Sequence, residues 1–139
     1  WAGEDLPQCQ FLWGSVEKLM ELPDRSFDGI VLSNILDNLK PTDSRTVLQE
    51  TIRLLQPEGK VLIKLNPYLT REQIEAWGVR TIEGDLLDDG LLLWNRTTEA
   101  WQEELQRDFR TVRFEDVYFS EYDQHNRMFL CEALQNANK

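Results

Sequence analysis

This 139-residue sequence has little of several features that would define a protein class at once. Its two cysteines, Cys9 and Cys131, lie far apart and match no Cys-x-x-Cys or metal-ligand spacing. We therefore expect two buried, reduced thiols in a cytoplasmic protein. The sequence has no run of about 18 apolar residues, which argues against a membrane-spanning helix. Its first residues, WAGEDLPQ, show neither the basic nor the apolar region of a signal peptide.

Basic residues are also few, since 15 Lys and Arg stand against 25 Asp and Glu, for a formal net charge of −10. Phosphate backbones and anionic lipid surfaces attract basic proteins, so this charge argues against nucleic acid and membranes as partners. With 41% hydrophobic and 29% charged residues, the composition is typical of a globular domain with one core. A small molecule or another protein remains as the partner.

Three short apolar runs predict strands of a parallel sheet. They are CQFLWGS (9–15), FDGIVLSN (27–34) and KVLIKL (60–65). The middle run is apolar on both faces, which is typical of a central parallel strand. Each run is followed by small or polar residues, which would lie at the carboxyl edge of the sheet.

Between the second and third runs, apolar residues recur at three- and four-residue spacing. This spacing predicts an amphipathic helix that Thr42 or Asp43 caps and that Pro57 and Gly59 end. A strand, a helix and a strand in this order predict a right-handed parallel crossover.

The second half of the sequence predicts two helices, a hairpin and a closing pair of strands. A short helix over 70–78 has Thr70 as its cap, and a longer helix covers 97–109. Residues 78–96 form an apolar insert that we expect to be a hairpin around Asp89-Gly90. The predicted closing strands are VRFEDVYFSEY (112–122) and NRMFLCEAL (126–134), joined as an antiparallel hairpin.

Together these elements predict an α/β fold whose sheet is mostly parallel and ends in an antiparallel hairpin. In open sheets of this kind, ligands bind outside the carboxyl ends of the strands. That rule places Gly14-Ser15, Ser33-Asn34 and Asn66-Pro67 along one rim. The rim is the expected functional site.

The order of these segments resembles that of class I S-adenosylmethionine-dependent methyltransferases. FLWGSVEKLMELPDRSFDGIVLSNILDNL (11–39) is similar to the third strand of that family, its Pro-Asp-x-Ser-Phe-Asp approach and its fourth strand. VLQETIRLLQPEGKVLIKL (47–65) is similar to the following helix, the Pro-x-Gly turn and the fifth strand. The closing hairpin is similar to the reversed last strand pair. The resemblance implies a Rossmann-like methyltransferase sheet and S-adenosyl-L-methionine as cofactor.

The resemblance also implies residues that this sequence lacks. The family holds the methionine end of the cofactor with a glycine-rich loop after its first strand, and the ribose with an acidic residue after its second. Neither is found before FLWGS. We therefore expect residues 1–139 to be a partial methyltransferase domain without its amino-terminal strands, inactive alone. It would be a fragment of a longer protein or would dimerise through the exposed edge at Ile30-Val31-Leu32.

Cofactor-binding residues follow from the positions that match the family. Ser15, flanked by Gly14, stands where a side chain hydrogen-bonds the adenine amino group, and Val16 would pack against the purine. Ser33 and Asn34 stand where the fourth strand ends beside the sulfonium. The alternative for Gly14 and Ser15 is a simple turn that ends a strand, and the alternative for Ser33 and Asn34 is a polar strand end that caps the next helix.

Substrate-binding candidates lie farther along the rim. Asn66 and Tyr68 would line it, and Trp94 and Asn95 would reach the substrate if the insert 78–96 covers the site. The insert could equally be an interface for a partner. Asn66-Pro67-Tyr68 is also similar to a motif of nitrogen-directed nucleic-acid methyltransferases. It follows the wrong strand and lacks their second proline, and the net charge opposes DNA.

The function that the resemblance implies is methyl transfer to a small-molecule acceptor, in the context of a longer chain. The alternative is a non-catalytic, methyltransferase-like module for protein contact. No catalytic residue is assigned: His125 is either a base or a solvated loop residue. The carboxylates Asp28, Asp37, Glu50 and Asp85 are expected at the surface or at caps, and no metal-ligand cluster is found.

Overall fold

A computed structural model describes residues 8–134 of the chain. The first seven residues, WAGEDLP, lie outside the described part. The described strands are β1 (Phe27–Ser33), β2 (Leu55–Leu65), β3 (Arg80–Glu83), β4 (Leu86–Asp88), β5 (Leu92–Trp94), β6 (Phe109–Phe119) and β7 (Gln124–Ala133). The α-helices are α1 (Pro41–Leu54), α2 (Arg71–Trp77) and α3 (Thr98–Gln106). Two 3-10 helices cover Val16–Glu21 and Leu36–Asn38.

The main sheet has four strands in the order β1-β2-β7-β6. β1 and β2 pair in parallel, with Ile30 opposite Val61, whereas β7 is antiparallel to both of its neighbours. Three strands therefore run in one direction and β7 alone is reversed. This confirms the predicted α/β sheet with a terminal antiparallel hairpin.

The core lies on one face of this sheet. Alternate residues of β2, namely Val61, Ile63 and Leu65, have no exposed surface, as the two-residue period of a strand requires. They pack in one cluster with the apolar stripe of α1 and with Trp101 of α3. Burial of each such side chain stabilises the fold by about 1.5–3 kcal/mol.

The prediction of a first strand over residues 9–15 is wrong. This segment has no regular structure, and it is exposed, with 96% of the Trp13 surface accessible. A strand needs a hydrogen-bonded neighbour, and within residues 8–134 no strand lies beside this segment.

β1 was predicted as a central strand, and it lies instead at the edge of the sheet. Its outer side has no strand partner among the described residues, and 65% of the Val31 surface is exposed. This agrees with the open edge expected at Ile30-Val31-Leu32 if the amino-terminal strands are absent.

The ends of α1 also differ from the prediction. Lys40 occupies the N-cap, and Pro41 begins the helix, where its missing N–H costs nothing. The helix ends at Leu54, so Pro57 and Gly59 belong to the irregular start of β2, where the β1–β2 register shifts. A side chain at position 59 would meet the carbonyl oxygens of Gln56 and Asp28 at 2.9 and 3.0 Å, so glycine is needed there.

The helix over 70–78 is confirmed as α2. The Thr70 side chain and Gln73 form a reciprocal capping box, and Gly78 ends the helix with a left-handed φ of 64°. The insert contains three short strands, β3-β4-β5, where two were predicted. The tight turn at Asp89-Gly90 joins β4 to β5, with a left-handed φ of 83° at Gly90.

The thiols were predicted to be buried, and this is correct only for Cys131, because Cys9 is exposed; both are free. Among residues 8–134, no helix has the length and apolar character that crossing a lipid bilayer requires.

Candidate functional site

The carboxyl ends of β1 and β2 lie side by side. The Asn34 backbone N–H donates a 3.0 Å hydrogen bond to the Lys64 carbonyl, which carries the pairing one residue beyond β1. Asn34 then turns the chain with a left-handed φ of 54°. Ser33 and Asn34 are exposed, and within residues 8–134 neither side chain makes a hydrogen bond. Their polar groups therefore remain free to bind a ligand.

Asn66, directly after β2, is held by side chains on two sides. Its backbone N–H and its Nδ2 donate to Asp37 Oδ2 at 2.8 and 3.2 Å, and Nδ2 also donates to Asn38 Oδ1 at 2.9 Å. Its carbonyl accepts from Arg127 Nε and Nη2 at 3.1 and 2.8 Å. The backbone at this point of the rim is thus fixed in one orientation.

Asp37 is fully buried, which corrects its prediction as a surface or capping carboxylate. Burial raises the pKa of Asp37, while the two bonds from Asn66 and the charge of Arg127 act in the opposite direction. Among the described residues, its second carboxylate oxygen, Oδ1, has no hydrogen-bond partner. The sequence signal for this burial is the apolar flank of Asp37 in ILDNL.

Arg127 is the second buried polar residue at the rim, and no pattern in the sequence indicated it. Only 4% of its surface is exposed, and burial lowers its pKa. Besides Asn66, its guanidinium donates to the Arg96 carbonyl at 2.9 Å and to Thr98 Oγ1 at 3.4 Å. Arg127 therefore connects the end of β2 to the end of the insert and to the beginning of α3. We name Asp37, Asn66 and Arg127 the rim anchor.

Beside the rim anchor lies a cleft of about 230 Å³. It contains both of the rim residues predicted to contact substrate, Asn66 and Tyr68. The other lining residues come from the rim, α2, the insert and the β6–β7 turn: Asn38, Pro67, Leu69, Gln73, Trp77, Asp89, Leu91, Leu93, Asp123 and Gln124. Its lining combines amide and carboxylate side chains with aromatic and aliphatic ones, which suits a small molecule that has both polar and apolar groups.

Trp94 and Asn95 are buried, and their polar atoms bind within the protein. The Asn95 amide accepts from the Leu69 N–H and donates to the Leu69 carbonyl, both at 2.9 Å. Trp94 Nε1 donates to Asp85 at 3.1 Å, and its ring meets Trp101 edge-on at 5.1 Å. They hold the insert in place, while Asp89, Leu91 and Leu93 are the insert residues that line the cleft.

Gly14, Ser15 and Val16 lie at the beginning of the first 3-10 helix. The Ser15 hydroxyl donates to the Glu17 carboxylate, and Val16 packs, half-buried, against the core. None of the three lines the cleft. Their role toward a cofactor stays a prediction.

The remaining candidates do not converge on the cleft. His125 Nδ1 lies 2.9 Å from Asp116 Oδ1, and its ring contacts Tyr118 in the terminal hairpin. Within residues 8–134, no group of three His, Cys, Asp or Glu side chains could hold a metal ion.

Comparison with known proteins agrees with this architecture. Residues 2–63 match the model of a family described as a methyltransferase domain. A search of the curated proteins finds no match to the sequence.

Three solved structures have the same fold. A protein from Pyrococcus horikoshii OT3 superposes with a TM-score of 0.71 at 16% identity, over 96% of this chain and 65% of its own. A Burkholderia thailandensis 1,6-didemethyltoxoflavin-N1-methyltransferase with bound 1,6-didemethyltoxoflavin and S-adenosylhomocysteine gives 0.65 at 20% identity, over 84% and 48%. The N-methyltransferase NodS from Bradyrhizobium japonicum WM9, in complex with S-adenosyl-l-homocysteine, gives 0.64 at 14% identity, over 96% and 60%.

These matches confirm the resemblance to class I S-adenosylmethionine-dependent methyltransferases: the chain has their Rossmann-like fold, and its first part matches their domain. The chain spans between about half and two thirds of the length of these three structures.

The rim residues suit one side of the cofactor of this family. Ser33 and Asn34 present unbonded polar groups at an open strand end, which a ligand with an amino-acid or ribose moiety could use. The sequence has no glycine-rich loop whose aligned amides would hold the other side. The residues of this sequence therefore fit one side of the cofactor and not the other.

Proposed function

We propose that this chain takes part in methyl transfer from S-adenosylmethionine to a small-molecule acceptor. The observation that carries the proposal is the juxtaposition, in a methyltransferase fold, of the free Ser33-Asn34 strand end with a cleft built on Asn66. When bound, the cofactor supplies a methyl group on a sulfonium, which is already an activated leaving group. The cytoplasm is the proposed location, on the basis of two free cysteines.

The residues of this chain then act by orientation. Ser33 and Asn34 would hold the cofactor, with Gly14, Ser15 and Val16 proposed toward its adenine. Asn66 and Gln73 line the cleft, and Asn66 Oδ1 and Gln73 Nε2, which make no hydrogen bond within residues 8–134, can fix an acceptor. Alignment of nucleophile and methyl group supplies most of the acceleration in such reactions, so no strong catalytic acid or base is required.

Two of the structural relatives support a small-molecule acceptor. The Burkholderia enzyme holds 1,6-didemethyltoxoflavin, and both it and NodS are N-methyltransferases that hold S-adenosylhomocysteine. The net charge of −10 argues against a nucleic-acid acceptor.

We test this proposal by calorimetric titration of S-adenosylmethionine. One sample is the 139-residue chain, and the other is a longer version with a glycine-rich strand–helix half placed before residue 1. We expect weak binding by the first and clear binding by the second, with the affinity of the second reduced about tenfold in Asn34→Ala. Binding by neither sample would refute the enzyme proposal.

The second candidate function, a non-catalytic module for protein contact, is favoured by the exposed edge of β1. Phe27 and Val31 are exposed there, and the strand has no outer partner among residues 8–134. A second copy of the chain could pair at this edge. If the longer version fails to bind cofactor while the chain self-associates, this candidate replaces the first.

A further inference from the structure

The cleft beside the rim anchor is lined by acidic side chains and by no basic one. Asp89 and Asp123 contribute carboxylates, and no Lys, Arg or His lines the cleft. Neither carboxylate forms an ion pair with a cation of the described chain. Asp123 Oδ1 accepts a 2.7 Å hydrogen bond from the Tyr118 hydroxyl, and the Asp89 carboxylate makes no hydrogen bond within residues 8–134.

Arg127, the buried cation of the rim anchor, does not neutralise these charges by contact. Arg127 directs its donors to the carbonyls of Asn66 and Arg96 and to Thr98, and it does not line the cleft. The cleft thus presents a negative potential in a chain whose formal net charge is −10. An anionic ligand would be repelled, whereas a cationic one would replace the missing counter-charge.

Aromatic rings form another part of the wall. Tyr68 and Trp77 line the cleft with 43% and 62% of their surfaces exposed, so their faces are accessible to a ligand. Aromatic faces attract cations and stack on flat rings, most strongly for tryptophan. Leu91 and Leu93 add apolar contact area to the lining of the cleft.

We propose that this cleft binds a small ring compound that carries a protonatable amine. The ring would lie against Tyr68 and Trp77, and the ammonium group would lie near Asp89 and Asp123. This inference deepens the proposed function and rests on it in one respect, since it takes the ligand of the cleft to be the methyl acceptor.

The test uses three probes that share a phenyl ring and differ in charge: 2-phenylethylamine, 2-phenylethanol and phenylacetate. Binding to the 139-residue chain is followed without cofactor, by the NMR shift of the Trp77 indole N–H, which Trp77→Phe assigns. We expect the amine to bind at least about tenfold more tightly than phenylacetate, with the alcohol between them. Added salt should reduce the difference.

The variant Asp89→Asn/Asp123→Asn should lower the affinity for the amine by about tenfold and leave that for the alcohol unchanged. The matched control is Asp28→Asn, which neutralises an exposed carboxylate of β1 that does not line the cleft. Equal binding of amine and phenylacetate, no binding of the amine, or an equal loss in the control would overturn the inference.

These outcomes are separate from those of the cofactor titration. If the amine binds selectively and the longer version does not bind S-adenosylmethionine, the charge selectivity of the cleft stands and methyl transfer fails. If the cofactor binds and the amine shows no preference, only the proposed substrate class fails.

Discussion

The backbone N–H of Asn66 donates a 2.8 Å hydrogen bond to Asp37, a carboxylate with no exposed surface. Asp37 follows β1 and Asn66 follows β2, so this bond joins the ends of the two parallel strands. From the other side, Arg127 of β7 binds the Asn66 carbonyl through two nitrogens. The end of the sheet beside the cleft is therefore held by buried polar groups, which are costly unless they bind one another.

The first prediction concerns the loss of this carboxylate. Asp37→Ala would leave the Asn66 N–H without its acceptor and would remove the carboxylate that acts most strongly on the buried Arg127 charge. We expect the free energy of unfolding to fall by about 1–3 kcal/mol, as urea denaturation would measure. Asp28→Ala, at an exposed position of β1, should change it by about 0.5 kcal/mol or less. Equal effects of the two substitutions would contradict the role of the rim anchor.

The second prediction concerns pH. Because burial raises the pKa of Asp37, the folded chain binds a proton more readily at this residue than the unfolded chain. Between the unfolded and the folded pKa, the contribution of Asp37 to the free energy of unfolding therefore falls as pH rises and recovers as pH falls. Above the folded pKa, Asp37 is ionised in the folded chain, and the full cost of burying its charge is present.

Other carboxylates have the opposite slope. Arg110 and Lys60 lower the pKa of Glu132, so its contribution grows as pH rises through its folded and unfolded pKa values. The measurement is thus the difference in free energy of unfolding between wild type and Asp37→Asn, taken from about pH 4 upward. We expect wild type to lose stability relative to the variant over this range. A constant difference would show that the pKa of Asp37 is not raised.

Much of the fold was predictable because local signals and the global arrangement agree. Thr70 begins α2 and Gly78 ends it, and both act through contacts within a few residues. In KVLIKL, every second side chain is buried because β2 has one buried face. The segment 9–15 has a strand-like sequence, yet strand formation depends on a neighbour outside its own residues. Propensity alone could not show that no strand among residues 8–134 lies beside this segment.

The candidate site was predictable only in part. Polar residues after strands identified Asn66 and Tyr68, which do line one cleft. Asp37 and Arg127 lie 90 residues apart in the sequence, and their pairing around Asn66 depends on the position of β7 in the sheet. No short-range pattern encodes such a contact. The hydrogen bonds of Asn95 to Leu69 are also encoded by no short-range pattern. The apolar residues around Asn95 suggested instead that the insert covers the site.

The third prediction tests how Asn95 holds the insert. Asn95→Ala removes both hydrogen bonds to Leu69, and we expect a loss of about 1–3 kcal/mol in the free energy of unfolding. Hydrogen exchange of the Leu69 amide should become faster, because its acceptor is gone. Gln49→Ala, on the exposed side of α1, should leave this amide unchanged. Unchanged exchange in Asn95→Ala would argue against the contact.

The fourth prediction separates the two thiols. Burial raises the pKa of Cys131 to about 11, so at pH 8 only about one molecule in a thousand carries the reactive thiolate there. Cys9 is exposed. A thiol-reactive dye should therefore label one cysteine rapidly in the native chain and both in urea, and Cys9→Ser should abolish the rapid phase. Rapid labelling of that variant would mean that Cys131 is accessible.

The fifth prediction concerns self-association at β1. The sheet has two edges, β1 and β6, but they differ in character. Both strands have a register shift, β1 between Phe27 and Gly29 and β6 between Thr111 and Arg113, but β6 also has the ion pair of Arg113 with Glu115. β1 presents Val31 with 65% of its surface exposed. An apolar edge without such an ion pair favours pairing with a second copy.

Sedimentation over a range of concentrations should therefore show a monomer–dimer equilibrium for the wild-type chain. Val31→Lys places a charge on the β1 edge and should weaken dimerisation by about tenfold or more. Val112→Lys makes the same change on β6, where 43% of the valine surface is exposed, and should have little effect. Equal weakening by both would point to general charge repulsion in place of edge pairing. A monomer at every concentration would rule out the homodimer, because the exposed edge would then be stable without a partner.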